Sequence, residues 1–250
     1  MNSVVVENLV FAYPDGTRAL DGASLRVEAG VSTGLIGPNG AGKSTLLLHL
    51  NGVLEGAEGK IEIGGLEVTK KNIREIRRRV GLVFQEADDQ LFMPSVFDDV
   101  AFGPLNLGLP EDEVRERVEE ALSSVGLARL AEKAPHHLSG GQKRLAAIAT
   151  VLSMRPGVLV LDEPTSNLDH RSRRALIDVL ASLPVTKIIS GHDLEFILET
   201  CEEVCLMDGG KVIAQGKAET LLGDETLLAA HGLEMPHSLL HRRGEHSHSR

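Results

Sequence analysis

Three short stretches of this chain carry the residue types that phosphate chemistry requires. The first is Gly37-Pro38-Asn39-Gly40-Ala41-Gly42-Lys43-Ser44-Thr45. Two glycines separated by four residues and followed by Lys and Ser match the P-loop pattern. Glycines let the backbone wrap close to phosphate oxygens and point its N–H groups inward. A helix opening near Lys43 aims its positive end at the same anion. Lys43 would neutralise the β and γ phosphates, and the Ser44 hydroxyl would ligate Mg²⁺. The ligand these residues predict is a magnesium-bound nucleoside triphosphate, ATP. In the second stretch, the apolar run Val158-Leu159-Val160-Leu161 leads into Asp162-Glu163. A buried parallel strand delivers such side chains to a ligand crevice at its C-terminal end. Asp162 would hold the magnesium and Glu163 would polarise an attacking water. The third, Leu138-Ser139-Gly140-Gly141-Gln142, opens a helical run that continues to Met154. Ser139 can cap that helix, and two glycines again expose backbone N–H groups to an anion.

The elements needed to position these residues are legible in the pattern. Val4 to Val10, Leu25 to Val27, Ser32 to Ile36 and Val80 to Phe84 read as strands, and Lys60 to Ile63 as an edge strand closed by Gly64-Gly65. A helix follows the glycine loop from Lys43 to Leu50. From about Glu86 to Arg155 the character turns helical. There Glu111 to Val125 puts Val114, Val118, Leu122 and Val125 on one face, with Pro110 starting the helix and Gly126 ending it. Three acids in its first turn suit the helix dipole. Alternation then returns: strand at Val158 to Leu161, helix at Arg171 to Leu183, strand at Lys187 to Ser190, helix at Leu194 to Thr200. Val204 to Met207 and Lys211 to Ala214 flank a turn and predict a hairpin. Strands alternating with helices imply a largely parallel α/β core, with the helical middle inserted as a subdomain.

Composition narrows the setting. The chain has 250 residues, 42% hydrophobic and 25% charged, which suits one sizeable core. Its net charge of −10 argues against nucleic acid as the main partner. The two cysteines, Cys201 and Cys205, read as partly buried thiols rather than a disulfide framework. The N-terminus lacks the basic start and apolar stretch of a signal peptide, and no apolar run is long enough to span a bilayer.

Taken in order, the motifs resemble the nucleotide-binding subunits of ATP-binding-cassette (ABC) transporters. Leu138 to Gln142 matches that family's signature sequence, and the resemblance covers roughly residues 3 to 220. It implies a P-loop NTPase fold with a mainly parallel sheet, an antiparallel N-terminal β portion and an inserted helical subdomain. By the same resemblance, Tyr13 matches the aromatic that stacks on adenine. Gln85 matches the glutamine that touches magnesium and reports to the membrane partner. Asp169, in Ser166-Asn167-Leu168-Asp169, lies in the loop that crosses the dimer, and His192 matches the switch histidine that contacts the γ-phosphate. Subunits of this family pair head to tail, so Ser139 of one completes the ATP site built by Lys43 of the other. The second subunit is another copy or a related chain.

Asp88-Asp89-Gln90-Leu91-Phe92, with the run from Phe97 to Pro104, resembles the energy-coupling-factor importers of vitamins and transition-metal ions. Exposed Leu91, Phe92 and Phe97 would receive a helix of an integral membrane subunit. The expected place of work is the cytoplasmic face of a membrane, reached through such subunits. His237, His241, His246 and His248 crowd a polar C-terminal tail. His237 and His241 would share one face of a helix, and imidazoles at that spacing suit nickel, cobalt or zinc. The expected domains are 1–220, with the helical insertion at about 86–155, and an extension from 221 to 250. A cobalt or nickel importer ATPase is the leading expectation. A vitamin importer ATPase, or a soluble assembly ATPase such as those of iron–sulfur cluster biogenesis, is the alternative.

Overall fold

The computed structural model describes residues 3–240. Its centre is a six-stranded sheet ordered β10-β9-β3-β8-β7-β6. The strands are β3 (Ser32–Ile36), β6 (Val80–Val83), β7 (Val158–Leu161), β8 (Thr186–Ser190), β9 (Glu203–Asp208) and β10 (Lys211–Lys217). All run parallel except β10, which returns beside β9 through the expected hairpin. Every residue of β3, β6, β7 and β8 is buried, which explains why β6 and β7 carry no polar side chain and why none of the four shows the alternation of a half-exposed strand. Because they are parallel, their C-terminal ends meet along one edge. That edge carries Gly37 after β3, Gln85 after β6, Asp162 after β7 and His192 after β8.

A separate antiparallel sheet is ordered β2-β1-β4-β5, from β1 (Val4–Ala12), β2 (Arg18–Val27), β4 (Glu58–Ile63) and β5 (Leu66–Glu67). The run at Lys60 to Ile63 is therefore not an edge. Two residues of β5 cover its outer side, pairing Glu62 with Glu67 and Ile63 with Leu66. Helix α1 (Lys43–Leu50) buries Leu46, Leu47 and Leu50 in the core between the two sheets. The short α2 (Ile73–Arg79) leads into β6.

The other core lies under the helical insertion, where α3 (Val96–Asn106), α4 (Glu111–Ser124) and α5 (Gly140–Leu152) pack together. Helix α4 buries Val114, Val118, Ala121 and Leu122, and Val125 is buried at its end. This core is continuous with Val83, Leu159 and Leu161 of the sheet. The insertion thus shares its apolar interior with the body. Of the three side chains expected at the surface, only Phe92 is there, at 63% exposure. Leu91 is buried, and Phe97 packs half-buried against the same core, because both lie on the inward side of the turn into α3.

Helices α6 (His170–Ser182) and α7 (Leu194–Thr200) follow β7 and β8, and α8 (Ala218–Leu222) and α9 (Glu225–Ala230) close the described chain. The boundary expected at 220 falls inside α8. Leu221, Leu222, Leu228 and Met235 belong to the main core, so the described part of the extension packs as body. Both cysteines are fully buried, Cys205 within β9, where the sequence suggested partial burial. Among the described residues no helix is long and apolar enough to cross a membrane.

Candidate active site

The glycine loop occupies the turn between β3 and α1. Gly37 has φ 146°, and a Cβ there would stand 2.0 Å from the Met207 carbonyl oxygen. Gly42 occupies the cap of α1 at φ 98° and offers no side chain to its amides, leaving them for an anion. Lys43 is 6% exposed. Its ammonium donates to the carbonyls of Gly37 at 2.8 Å and Pro38 at 3.0 Å. Burial pushes its pKa down, and the carboxylates of Glu163 and Asp162 work against that. The Tyr13 hydroxyl lies 3.0 Å from Thr45 Oγ1, and its ring meets Phe11 edge-on at 5.1 Å. Tyr13, Arg18, the loop from Asn39 to Thr45, Gln85, Glu163 and His192 line one cleft of about 560 Å³.

Across the cleft, Glu163 gathers three donors. His192 Nε2 is 2.8 Å from Oε1. Gln85 Nε2 and Ser166 Oγ approach Oε2 at 3.5 and 3.3 Å. The Glu163 backbone is left-handed, at φ 43°. Ser190, fully buried at the end of β8, holds this turn. Its hydroxyl donates to Asp162 Oδ1 at 2.5 Å and accepts from the Glu163 N–H at 2.9 Å. Sequence reasoning passed over Ser190. The available signal was its place at the end of the strand beside the one that delivers Asp162. The Ser44 hydroxyl, the Gln85 amide oxygen and the Asp162 carboxylate are hard oxygen donors, a set that suits magnesium.

Leu138 to Gln142 do not line this cleft. They open α5 beside Ser166 to Leu168, with Ser139 and Gly140 exposed. Ser139 Oγ accepts from the Gln142 N–H and Gln142 Oε1 accepts from the Ser139 N–H, a reciprocal capping box. One turn on, buried Arg144 was also missed. It donates to the carbonyls of Phe84 at 2.7 Å and Gln85 at 2.5 Å, tying α5 to the loop that carries Gln85. Gln90 adds a second tie, accepting from the Phe84 N–H and donating to the Ala147 carbonyl. Asp169 caps α6 by accepting from the Ser172 N–H at 2.7 Å, and that bond holds its pKa below the usual carboxylate range. Of the tail histidines, His237 is exposed at the start of a helical turn, while His241, His246 and His248 lie outside the described residues. No group of three or more His, Cys, Asp or Glu side chains placed to hold a metal ion occurs among the described residues.

A family model described as ABC transporter matches residues 20–166. The energy-coupling factor transporter ATP-binding protein EcfA of Methanothermobacter thermautotrophicus is 48% identical over 238 residues, covering 93% of this chain and 76% of that one. The cobalt import ATP-binding protein CbiO of Rhodobacter capsulatus is also 48% identical, covering 93% and 85%. Among solved structures, cbiO1 from Clostridium perfringens, part of the transporter complex cbiONQ, superposes with a TM-score of 0.81. It is 39% identical, over 96% of this chain and 98% of that one. With its phosphate loop, acidic strand end and capped signature helix on one frame, the chain belongs to the ABC transporter ATP-binding family.

Proposed function

We propose that this ATPase is the motor subunit of an importer that carries cobalt or nickel ions, with Glu163 as the general base. The convergence of Gln85, Ser166 and His192 on the Glu163 carboxylate, opposite Lys43, carries the assignment of the base. ATP enters with its adenine on Tyr13 and its phosphates in the loop. Lys43 leaves the carbonyls of Gly37 and Pro38 for β and γ oxygens, and the open amides of α1 take up the remaining charge. A water on the γ side gives a proton to Glu163 as its oxygen bonds to phosphorus. The bond from the γ-phosphorus to the bridging oxygen breaks, and ADP leaves with that oxygen. His192 turns from Glu163 to donate to a γ oxygen and orients the group under attack. Ser44, Gln85 and Asp162 would hold magnesium, which would neutralise phosphate charge during the transfer.

Leu138 to Gln142 serve the other subunit's nucleotide, which fits the exposure of Ser139 and Gly140 away from this chain's own cleft. Membrane subunits dock at the groove between α2 and α3. Exposed Phe92 and Phe102 meet edge-on there at 5.1 Å, above Leu82 and beside Arg74 and Arg78. That apolar patch favours a membrane-bound motor on the cytoplasmic face over a soluble assembly ATPase. The cobalt name of one relative and the histidines of the tail favour metal ions over vitamins as cargo.

The decisive variant is Glu163→Gln. It should bind ATP, lose about 10²-fold or more in turnover, and trap an ATP-bound dimer. Wild-type turnover in this variant would remove Glu163 as the base. Purifying the same variant from native membranes tests the cargo. A small metal-specific membrane subunit should accompany it, and a vitamin-binding one would overturn the metal reading.

A further inference from the structure

We propose that Arg173 is a positioning residue through which occupancy of one ATP site of the dimer sets the geometry of the other. The proposal rests on the head-to-tail pairing described above. It starts from α7, which has seven residues and follows His192 after a single residue, Asp193. A helix that short does not hold its own place in water. Phe196 and Ile197 bury one face of it, Arg173 of α6 grips its two ends, Arg174 shares Glu199, and Ser238 holds Glu195. Arg173 Nε pairs with Asp193 Oδ2 at 2.8 Å and its Nη1 with Glu199 Oε1 at 2.9 Å. Its guanidinium also lies over the Phe196 ring, 5.7 Å from the centroid. One side chain therefore fixes both ends and the middle of α7, and with them the residue next to His192. Asp193 is committed on its other side as well, since Oδ1 accepts from the Phe196 N–H.

The other side of Arg173 reaches the signature sequence. Arg173 lies in the first turn of α6, and its N–H bonds the carbonyl of Asp169. Its neighbour Ser172 packs on Gly141 so closely that a Cβ on that glycine would stand 2.1 Å from Ser172 Oγ. A contact with no spare volume transmits displacement instead of absorbing it. Gly141 is on the segment that would meet the partner's nucleotide, and His192 faces this chain's own. The path from one to the other is short: Gly141, Ser172, Arg173, Asp193, His192. The planar fork of arginine suits this place, because a lysine would hold one carboxylate at a time.

The test uses the full chain assembled with its membrane subunits, comparing Arg173→Lys, Arg173→Met and Ser172→Ala. Wild-type turnover should rise with ATP concentration with a Hill coefficient above one. Arg173→Met should bring that coefficient to one and lower kcat about tenfold or more, by displacing His192. Its KM for ATP should change less than twofold, since no atom of Arg173 faces the nucleotide. Arg173→Lys should restore part of kcat and little of the cooperativity. Ser172→Ala leaves the ion pairs intact and should still lower the coefficient. Should Arg173→Met fail to fold, the Lys and Ala variants decide alone. Unchanged Hill coefficients in the variants, or a wild-type coefficient of one, would overturn the proposal. The pairing itself has a separate readout: Glu163→Gln that stays monomeric with ATP would sink the dimer before the coupling is at issue.

Discussion

A single hydroxyl organises the acidic end of β7. Ser190 donates to Asp162 and accepts from the Glu163 amide, so it fixes the directions in which two adjacent carboxylates leave the strand. Ser190→Ala removes both bonds in a fully buried place, at about 1–3 kcal/mol. Turnover should fall at least tenfold while ATP affinity, which rests on the glycine loop, stays within a few-fold. Stopped-flow turnover and equilibrium nucleotide titration separate the two. Gly37 to Thr45 and Asp162-Glu163 stand out in the sequence because the roles proposed for them depend on local geometry, which spacing carries. Ser190 and Arg144 act on partners 28 and about 60 positions away. No spacing rule covers such a contact, because it exists only after the strands have been ordered.

Helix α5 joins two regions. Its capped start is the segment proposed to meet the other subunit's nucleotide, and one turn later Arg144 enters the body and holds the carbonyls of Phe84 and Gln85. Burial pushes the pKa of Arg144 down, with the charges of Glu86 and Asp162 working against it, and the carbonyls of Phe84 and Gln85 accept from the guanidinium inside the body. Arg144→Met should cost about 1–3 kcal/mol in urea unfolding, as the carbonyls of Phe84 and Gln85 lose their donor. It should also weaken any stimulation of turnover by membrane subunits, since the loop bearing Gln85 loses its tie to α5. Equal stimulation in wild type and variant would contradict this. Elements of this kind were readable where periodicity was strong. The bounds of α1, β3, β7 and α7 follow the sequence pattern residue for residue. Helix α3 escaped notice because Gly103 and Pro104 interrupt it, and β5 because two residues carry no period.

At the scale of the molecule, the parallel sheet separates two cores, one under the antiparallel sheet and one under the inserted helices. The sequence indicated the insertion but not that its interior is continuous with the body. It also did not show that the chain past 220 completes that interior, since short amphipathic pieces such as α8 resemble surface helices. Cys201 lies in this core and Cys205 in the one under the antiparallel sheet, so the two thiols report on both. Burial raises both thiols to about 12 from an ordinary value of 9.0. The folded state thus keeps protons that the unfolded state sheds above pH 9, and stability falls as pH rises from 9 towards 12. The slope approaches about 1.4 kcal/mol per pH unit for each thiol. Replacing both with Ala should flatten the decline, as thermal melts across that range would register. Below pH 9 a disulfide reagent should label neither thiol until the protein unfolds.

The left-handed turn at Glu163 has one more consequence. A glutamate held at φ 43° carries about 1–3 kcal/mol of backbone strain, while asparagine and glycine adopt that conformation readily. Glu163→Asn should therefore melt at a higher temperature than the wild type while hydrolysing almost no ATP. Selection for thermal resistance alone would drift towards inactive chains at this position, so a library screened by heat must be counter-screened by turnover.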